Sequence, residues 1–350
     1  MKEKDVVYIL FLALPIIVAM LILANAASFK NHRPKVRNVT LGLGGFLFAL
    51  SLLFPLGETY YRFIDDKPDS FGLTAISKRW FEKHFRMNNL GFRDNQNYEK
   101  IPAPGTTLRL TFVGDSFTAG HGVNDPENRF ANLIRQNHPD WEVHIIAAPG
   151  QDTGAEFNTV AKLVRNGYKL DYVVLIYVLN DISDIVPEWA GILKRIYTRN
   201  KEEGFWIKNS FLINTLYYHF KASRDPDMKS YYHFVKDAYE SPLFLKQKER
   251  LKNFQLAFQE SGAKMAVVTF PFLHALGNQY EYQKVHDDLN AFWKERGIPH
   301  LDLLKTYQPY PPSRLVVSPW DAHPNRFAHQ LAAQALEPFL ESWIKETKTH

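Results

Sequence analysis

Four short stretches of this sequence carry residue types that could act together on a carbonyl group. The first is TFVGDSFTAGHGV, residues 111–123, where an apolar run stops at Gly114-Asp115-Ser116. A serine just past a strand, at the start of a helix, would have an exposed hydroxyl and an N–H without an intrahelical partner. The helix dipole would favour negative charge developing there. The same tripeptide also serves as ordinary turn and helix-cap chemistry. The second stretch, AAPGQDT, puts Gly150 at the end of another apolar run. Glycine lets backbone approach a bound group and present its N–H, and a plain strand-terminating turn uses it just as readily. The third, YVLNDISD, ends a β-branched run at Asn180, whose amide could donate to an oxyanion or cap a turn beside Asp181. The fourth, WDAHPNRFAHQLAAQAL (320–336), holds Asp321 and His323 in a loop ahead of an amphipathic helix. A histidine close to the serine could take its proton, while an aspartate would fix the imidazole tautomer. The chain has 13 histidines, so one alone says little.

Elements that would position these residues can be read between them. LRLTFVG (108–114), WEVHIIAAPG (141–150), DYVVLIYVLND (171–181), AKMAVVTFPF (263–272) and IPHLDLL (298–304) are short apolar runs. They alternate with stretches such as NRFANLIRQN and EFNTVAKLVRN, whose apolar residues recur at helical spacing. Buried strands alternating with helices indicate an α/β domain with a parallel sheet, in which reactive groups collect beyond the carboxyl ends of the strands. The exception is an aromatic, helix-patterned insertion at about 186–250, which reads equally as a cap over the strand ends or as extra helices. Residues 58–107 form a connector ending in the turn-rich KIPAPGTT, and within it NNLGFRDN (88–95) reads as an ordered loop. No internal repeat or low-complexity tract is visible.

At 350 residues and 45% hydrophobic content the chain can bury a full-sized core. It has no cysteine, which excludes disulfides, thiol catalysis and thiolate metal sites. The net charge of +5 comes from a local cluster. Of 42 basic and 37 acidic residues, six and two precede residue 39, leaving 36 and 35 in 39–350. No basic face for nucleic acid is present.

The cluster, Lys30, Arg33, Lys35 and Arg37, separates two uncharged apolar segments, 6–27 and 39–56. The first has 22 residues, enough to cross a hydrocarbon core of roughly 30 Å as a helix. Pro15 is tolerable in such a helix, and Gly42, Gly44 and Gly45 of the second suit close helix packing. Residues 1–57 therefore read as a two-helix transmembrane anchor, with a buried core hairpin as the alternative. The four cations favour the cytoplasmic side for the loop, which puts everything from residue 58 outside. The rival reading, signal-peptide cleavage at Ala24-Asn25-Ala26, has an apolar region longer than the usual ~7–15 residues.

The order of the four stretches, serine, glycine, asparagine and an Asp/His pair, resembles the SGNH hydrolases, also called GDSL-like esterases. GDSFTAGHGV is similar to their first block and DAHPN to their last, and the resemblance covers roughly 88–337. NNLGFRDN is similar to a segment ahead of the first block in membrane-tethered members. The resemblance implies a three-layer α/β/α fold with a five-stranded parallel sheet, spanning 108–345, and no metal or other cofactor. It implies Ser116 as nucleophile, His323 as general base and then acid, and Asp321 as the residue orienting His323. It also implies an oxyanion hole from the N–H groups of Ser116 and Gly150 and the Asn180 amide. The acid and histidine are spaced Asp-x-His, where many members have Asp-x-x-His with the position here held by Trp320. Orientation of His323 by Asp321 or by a backbone carbonyl are thus both open.

The expected activity is hydrolysis of an acyl ester, an O-acetyl group of an envelope glycan or a lipid ester, at the outer face of the cytoplasmic (inner) membrane. An O-acyltransferase would use the same residues, and an envelope scaffold would keep the fold without needing all four. Asp115 reads as a local strut, His121 and Asp181 as structural residues beside the cleft, Asp302 as a strand-end turn residue, and His329 as packing on the final helix.

Overall fold

The computed structural model describes residues 3–29, 34–199, 201, 204–277 and 279–349. Trp80–Ile196 and Pro226–His350 form one compact unit, and Met1–Arg79 with Tyr197–Asp225 form another.

The larger unit is built on five parallel strands: β1 (Leu108–Gly114), β2 (Trp141–Ala147), β3 (Tyr172–Val178), β4 (Lys264–Phe270) and β5 (His300–Asp302). Their order across the sheet is β2-β1-β3-β4-β5. Every residue of β1 and β3 is buried, as expected of a parallel sheet covered by helices on both faces. The fold is therefore the anticipated α/β/α sandwich. Successive connections reverse direction at β1, with β2 on one side of it and β3 on the other. That is the switch point where such sheets open a crevice beyond their carboxyl ends. Gly114 of β1 lies level with Ala147 of β2, so the loops leaving these strands start side by side.

Two local features differ from expectation. The helix after β1 is a single turn, Ser116–Ala119, because Gly120 and Gly122 take positive φ and end it. Its dipole is correspondingly small, since the macrodipole is a sum over aligned peptides. The Asp/His pair lies in a short strand rather than a loop. Asp321–Pro324 forms β7, antiparallel to β6 (Val316–Ser318), directly ahead of the long Arg326–Thr349 helix.

The smaller unit starts with the helices Glu3–Phe29 and Pro34–Thr59, the second continuing into a π-helical turn, Tyr60–Ile64. Both helices are long and apolar enough to cross a membrane. Ala24-Asn25-Ala26 lies within the first of them. Lys30 and Arg33 fall outside the described residues, and Lys35 and Arg37 open the second helix. The helices Phe205–Asn209 and Phe211–Ala222 join this unit. The fully buried Glu58 accepts from Ser210 Oγ (2.7 Å), Phe211 N (3.0 Å) and Leu212 N (2.9 Å), capping the Phe211–Ala222 helix. The aromatic insertion is thus divided. Its middle packs with the N-terminal helices, whereas Leu243–Glu260 buries Phe244, Leu251, Phe254 and Phe258 in the core of the sheet.

Candidate active site

Ser116 follows β1 directly, and the backbone turn that presents it is set by its neighbour. Asp115, fully buried, accepts from Phe117 N at 2.8 Å and so caps the single helical turn. Ser116 Oγ is 2.9 Å from His323 Nε2, and His323 Nδ1 is 2.5 Å from Asp321 Oδ1. In a strand, residues i and i+2 point to the same face, so β7 places Asp321 and His323 on one side. The same Asp321 Oδ1 accepts the backbone N–H of His323 at 3.1 Å. Strand geometry plus this local turn is how a spacing of two brings carboxylate and imidazole together, and the carboxylate contacts the ring directly.

Asp321 is buried, which alone would raise its pKa. The charges of His323 and His121 and the hydrogen bonds from His323 outweigh this and leave it below the usual carboxylate range. An ionised Asp321 only accepts hydrogen bonds, which puts the imidazole proton on Nδ1 and leaves Nε2 to accept from the serine hydroxyl. His121, Asp321 and His323 each bring a ligand atom within 4.8 Å of the others. The His323 nitrogens are engaged by Ser116 and Asp321.

Asn180 lies in the 3₁₀ turn Leu179–Ile185 after β3. Its Nδ2 donates to Asp115 Oδ2 at 3.3 Å, and Ser116 Oγ is 3.4 Å from the same oxygen. One amide hydrogen is used in this way and the second remains for another acceptor. Gly150 lies three residues past β2, exposed, with φ +78°. Among the described residues its N–H has no hydrogen-bond partner. The structure thus joins Ser116, His323, Asp321 and Asn180 through contacts, whereas Gly150 stands on the neighbouring strand end without contacting them.

Two groups of residues near the site carry more than the sequence reading gave them. His121 stacks on His323 with ring centroids 4.0 Å apart and planes within 6°. Its Nε2 is 3.4 Å from Asp321 Oδ2. Trp80 covers the other face of His121 at 5.4 Å, and the Arg93 guanidinium lies 5.0 Å over Trp80. A column of four side chains therefore ends on His323. Arg93, from NNLGFRDN, also donates to the carbonyls of Gly120 (2.6 Å) and Val123 (2.5 Å), and the buried Arg129 donates to the Arg93 carbonyl at 2.8 Å. These guanidiniums clamp the loop that carries His121. Asp94 holds Arg135 through paired hydrogen bonds of 3.1 and 2.6 Å. Burial would raise the Asp94 pKa, but Arg135 and Arg129 hold it at about 2.

Near Ser116 lies a set of buried acids. Burial raises Asp115, and it raises Glu156 and Asp181 well above the usual range, with their mutual repulsion adding to the effect. Asp181 Oδ2 accepts from Val178 N at 2.8 Å and shapes the end of β3. Asp302 accepts from His286 Nδ1 (2.8 Å), Asn290 Nδ2 (2.9 Å) and Leu304 N (2.9 Å) at the end of β5. His329 Nδ1 accepts from Phe130 N at 3.3 Å. Glu156 had no sequence signal beyond an acid on an amphipathic helix.

No family model matches the chain, and no curated protein matches it. Among solved structures, it is similar to a member of the lipolytic protein G-D-S-L family from Veillonella parvula. That pair shares 10% identity over 65% of this chain and 96% of the other, with a TM-score of 0.41. An extracellular lipase from Streptomyces rimosus shares 14% identity over 67% and 99% of the two chains, with a TM-score of 0.42. The esterase EstA from a Pseudoalteromonas species shares 14% identity over 68% and 98%, with a TM-score of 0.41.

Proposed function

We infer that this chain is a membrane-anchored serine esterase of the SGNH type. It acts on an acyl ester, an O-acetyl group of an envelope glycan or lipid being the substrate class we assign. The observation that carries the reading is the continuous line from Ser116 Oγ through His323 to Asp321, at 2.9 and 2.5 Å. Ser116 Oγ attacks the acyl carbonyl while its proton passes to His323 Nε2, and Asp321 stabilises the resulting imidazolium. The tetrahedral oxyanion is held by the N–H groups of Ser116 and Gly150 and by Asn180 Nδ2. One such donor lowers the barrier by ~3 kcal/mol. Collapse expels the alcohol, which takes the proton from His323 and leaves the acyl group on Ser116. Water, deprotonated by His323, then releases the acid and restores the serine.

Anchoring is supported by the length and apolar character of Asp5–Asn25 and Pro34–Ile64. The cations between them favour a cytoplasmic loop and an extracytoplasmic catalytic domain. The test is mass spectrometry of the full-length protein after incubation with a panel of acyl donors, with and without a glycan acceptor. An acyl adduct on Ser116 that drains to water is expected, and Ser116→Ala should abolish both adduct and turnover. Delivery of the acyl group to the glycan in preference to water would reassign the enzyme as an acyltransferase. If no donor and no fluorophosphonate modified Ser116, the enzymatic reading would fall.

A further inference from the structure

The middle of the aromatic insertion is built inside out. On the Phe211–Ala222 helix the inward residues Phe211, Asn214, Thr215 and Tyr218 are buried, and two of the four are polar. Asn214 bonds the Ala75 N–H (2.7 Å) and the Ile207 carbonyl (3.0 Å). Next to them Asn209, Ser210, Glu58 and Arg62 are also buried. The outward face carries Leu216 and Phe220, each more than half exposed, and the preceding Phe205–Asn209 helix adds Phe205 and Trp206. A water-facing helix has the opposite arrangement, and an exposed apolar patch of this kind marks an interaction surface.

We propose that the helices Phe205–Asn209 and Phe211–Ala222 are a third membrane-contacting element, seated in the headgroup layer of the bilayer that the two N-terminal helices cross. The inference rests on the anchor reading above, and continuity with those helices identifies the occupant as lipid. Trp206 stacks on Phe11 of the first apolar helix, with centroids 6.0 Å apart and planes within 3°. Phe11 in turn meets Phe54 of the second helix at 5.6 Å. Phe11 lies six residues into the apolar span that begins at Asp5, or ~9 Å at 1.5 Å per residue. Interfacial helices bury their apolar face to a depth of roughly 5–10 Å, so Trp206 is at the level such an element occupies. Tyr60, Phe63 and Ile64, on the turn that continues the second helix, are exposed as well. Two cations lie over the rings of this segment, and Lys221 Nζ also donates to the Arg199 carbonyl at 2.6 Å. Lys221 Nζ lies 4.9 Å over Tyr217, and the Arg224 guanidinium lies 3.6 Å over Phe220. Long cationic side chains commonly bury their stems along apolar surface while keeping the charge in the headgroup region.

The absence of cysteine makes the test direct. Full-length Leu216→Cys, Phe220→Cys, Phe46→Cys and Lys284→Cys, each spin-labelled, are reconstituted in vesicles of phosphatidylethanolamine and phosphatidylglycerol. Collision rates with molecular oxygen and with a water-soluble nickel chelate are then compared. Phe46 is on the second apolar helix and Lys284 is 85% exposed on the other unit. The oxygen-to-nickel ratio at positions 216 and 220 should rise well above that at 284 and approach that at 46. Ratios at 216 and 220 equal to that at 284, with 46 in lipid, would overturn the proposal and leave the anchor standing. A water-like ratio at 46 as well would overturn both.

Discussion

Replacing Asp321 separates two things the carboxylate does for His323, charge stabilisation and choice of tautomer. In the proposed acylation the imidazole would become positively charged, and the 2.5 Å contact would become a hydrogen bond between opposite charges in a buried setting. Hydrogen bonds to charged groups contribute ~1.5–3 kcal/mol net. With a factor of ten for each ~1.4 kcal/mol, Asp321→Ala should lower kcat/KM by about 10- to 150-fold. The amide variant ought to be milder. Where nothing fixes the amide, such a substitution can select the wrong tautomer and cost about 10⁴-fold. Here the His323 N–H donates to the same oxygen that faces Nδ1, at 3.1 Å, so Asp321→Asn should keep an oxygen toward the ring. Only the charge is then lost, and ~1–1.5 kcal/mol separates charged from neutral hydrogen bonds, or about tenfold. The assay is hydrolysis of a chromogenic acetyl ester by the full-length protein in detergent, with thermal unfolding to verify folding. An Asn variant far less active than the Ala variant, or an Ala variant indistinguishable from wild type, would refute the reasoning.

The stacked column gives a second test. His121→Ala should lower kcat by about 2- to 12-fold, the worth of a ring pair at ~0.5–1.5 kcal/mol. KM should be unchanged, and His121→Phe, which keeps the stack, should restore most of the rate. Gly120→Ala should destabilise the protein in denaturant titrations by about 2–5 kcal/mol, from left-handed backbone strain and overpacking. The new Cβ would fall 2.5 Å from Arg129 Cδ, on a buried side chain that cannot swing aside. Asp94 should shape acid stability. Its folded pKa of about 2 lies below the ordinary value of 3.8. The stabilisation is therefore complete above the ordinary value and is lost as pH falls from there through the folded pKa. That amounts to roughly 2 kcal/mol, and Asp94→Asn should flatten the unfolding free energy across that window.

The sheet was legible because each strand is an apolar run stopped by glycine, proline, asparagine or aspartate. LRLTFVG coincides with β1, and the other runs overshoot their strands by only one to three residues at an end. The order of Ser116, Gly150 and Asn180 was legible for the same reason, since parallel strands deliver their ends to one edge, whereas Asp321 and His323 sit on β7, outside that sheet. Trp80 and His121 were not. Their partnership joins the connector to the nucleophile loop, and no local periodicity records a contact between segments forty residues apart. β7 is only four residues long, too short for alternation to distinguish it from a loop, so the reason that the Asp-x-His spacing works stayed hidden.

The aromatic insertion shows a different limit. Leu212, Leu216 and Phe220 recur at helical spacing, and the aromatic, helix-patterned insertion reads equally as a cap over the strand ends or as extra helices. Periodicity carries no sign, however, because an apolar face turned to a core and one turned to lipid produce the same pattern. The sign comes from the opposite face. Asn214 and Thr215 are buried while Leu216 and Phe220 are exposed, and Glu58 accepts from Phe211 N at the start of the same helix. The Glu58 contacts that cap the helix therefore also determine which way its aromatic face points. Glu58→Gln should weaken the cap, and Glu58→Leu should remove it. A loss of helix 211–222 confined to these variants, read as faster amide exchange there than in Leu243–Glu260, would follow if this carboxylate holds the segment. Equal exchange in all three proteins would show that packing alone suffices.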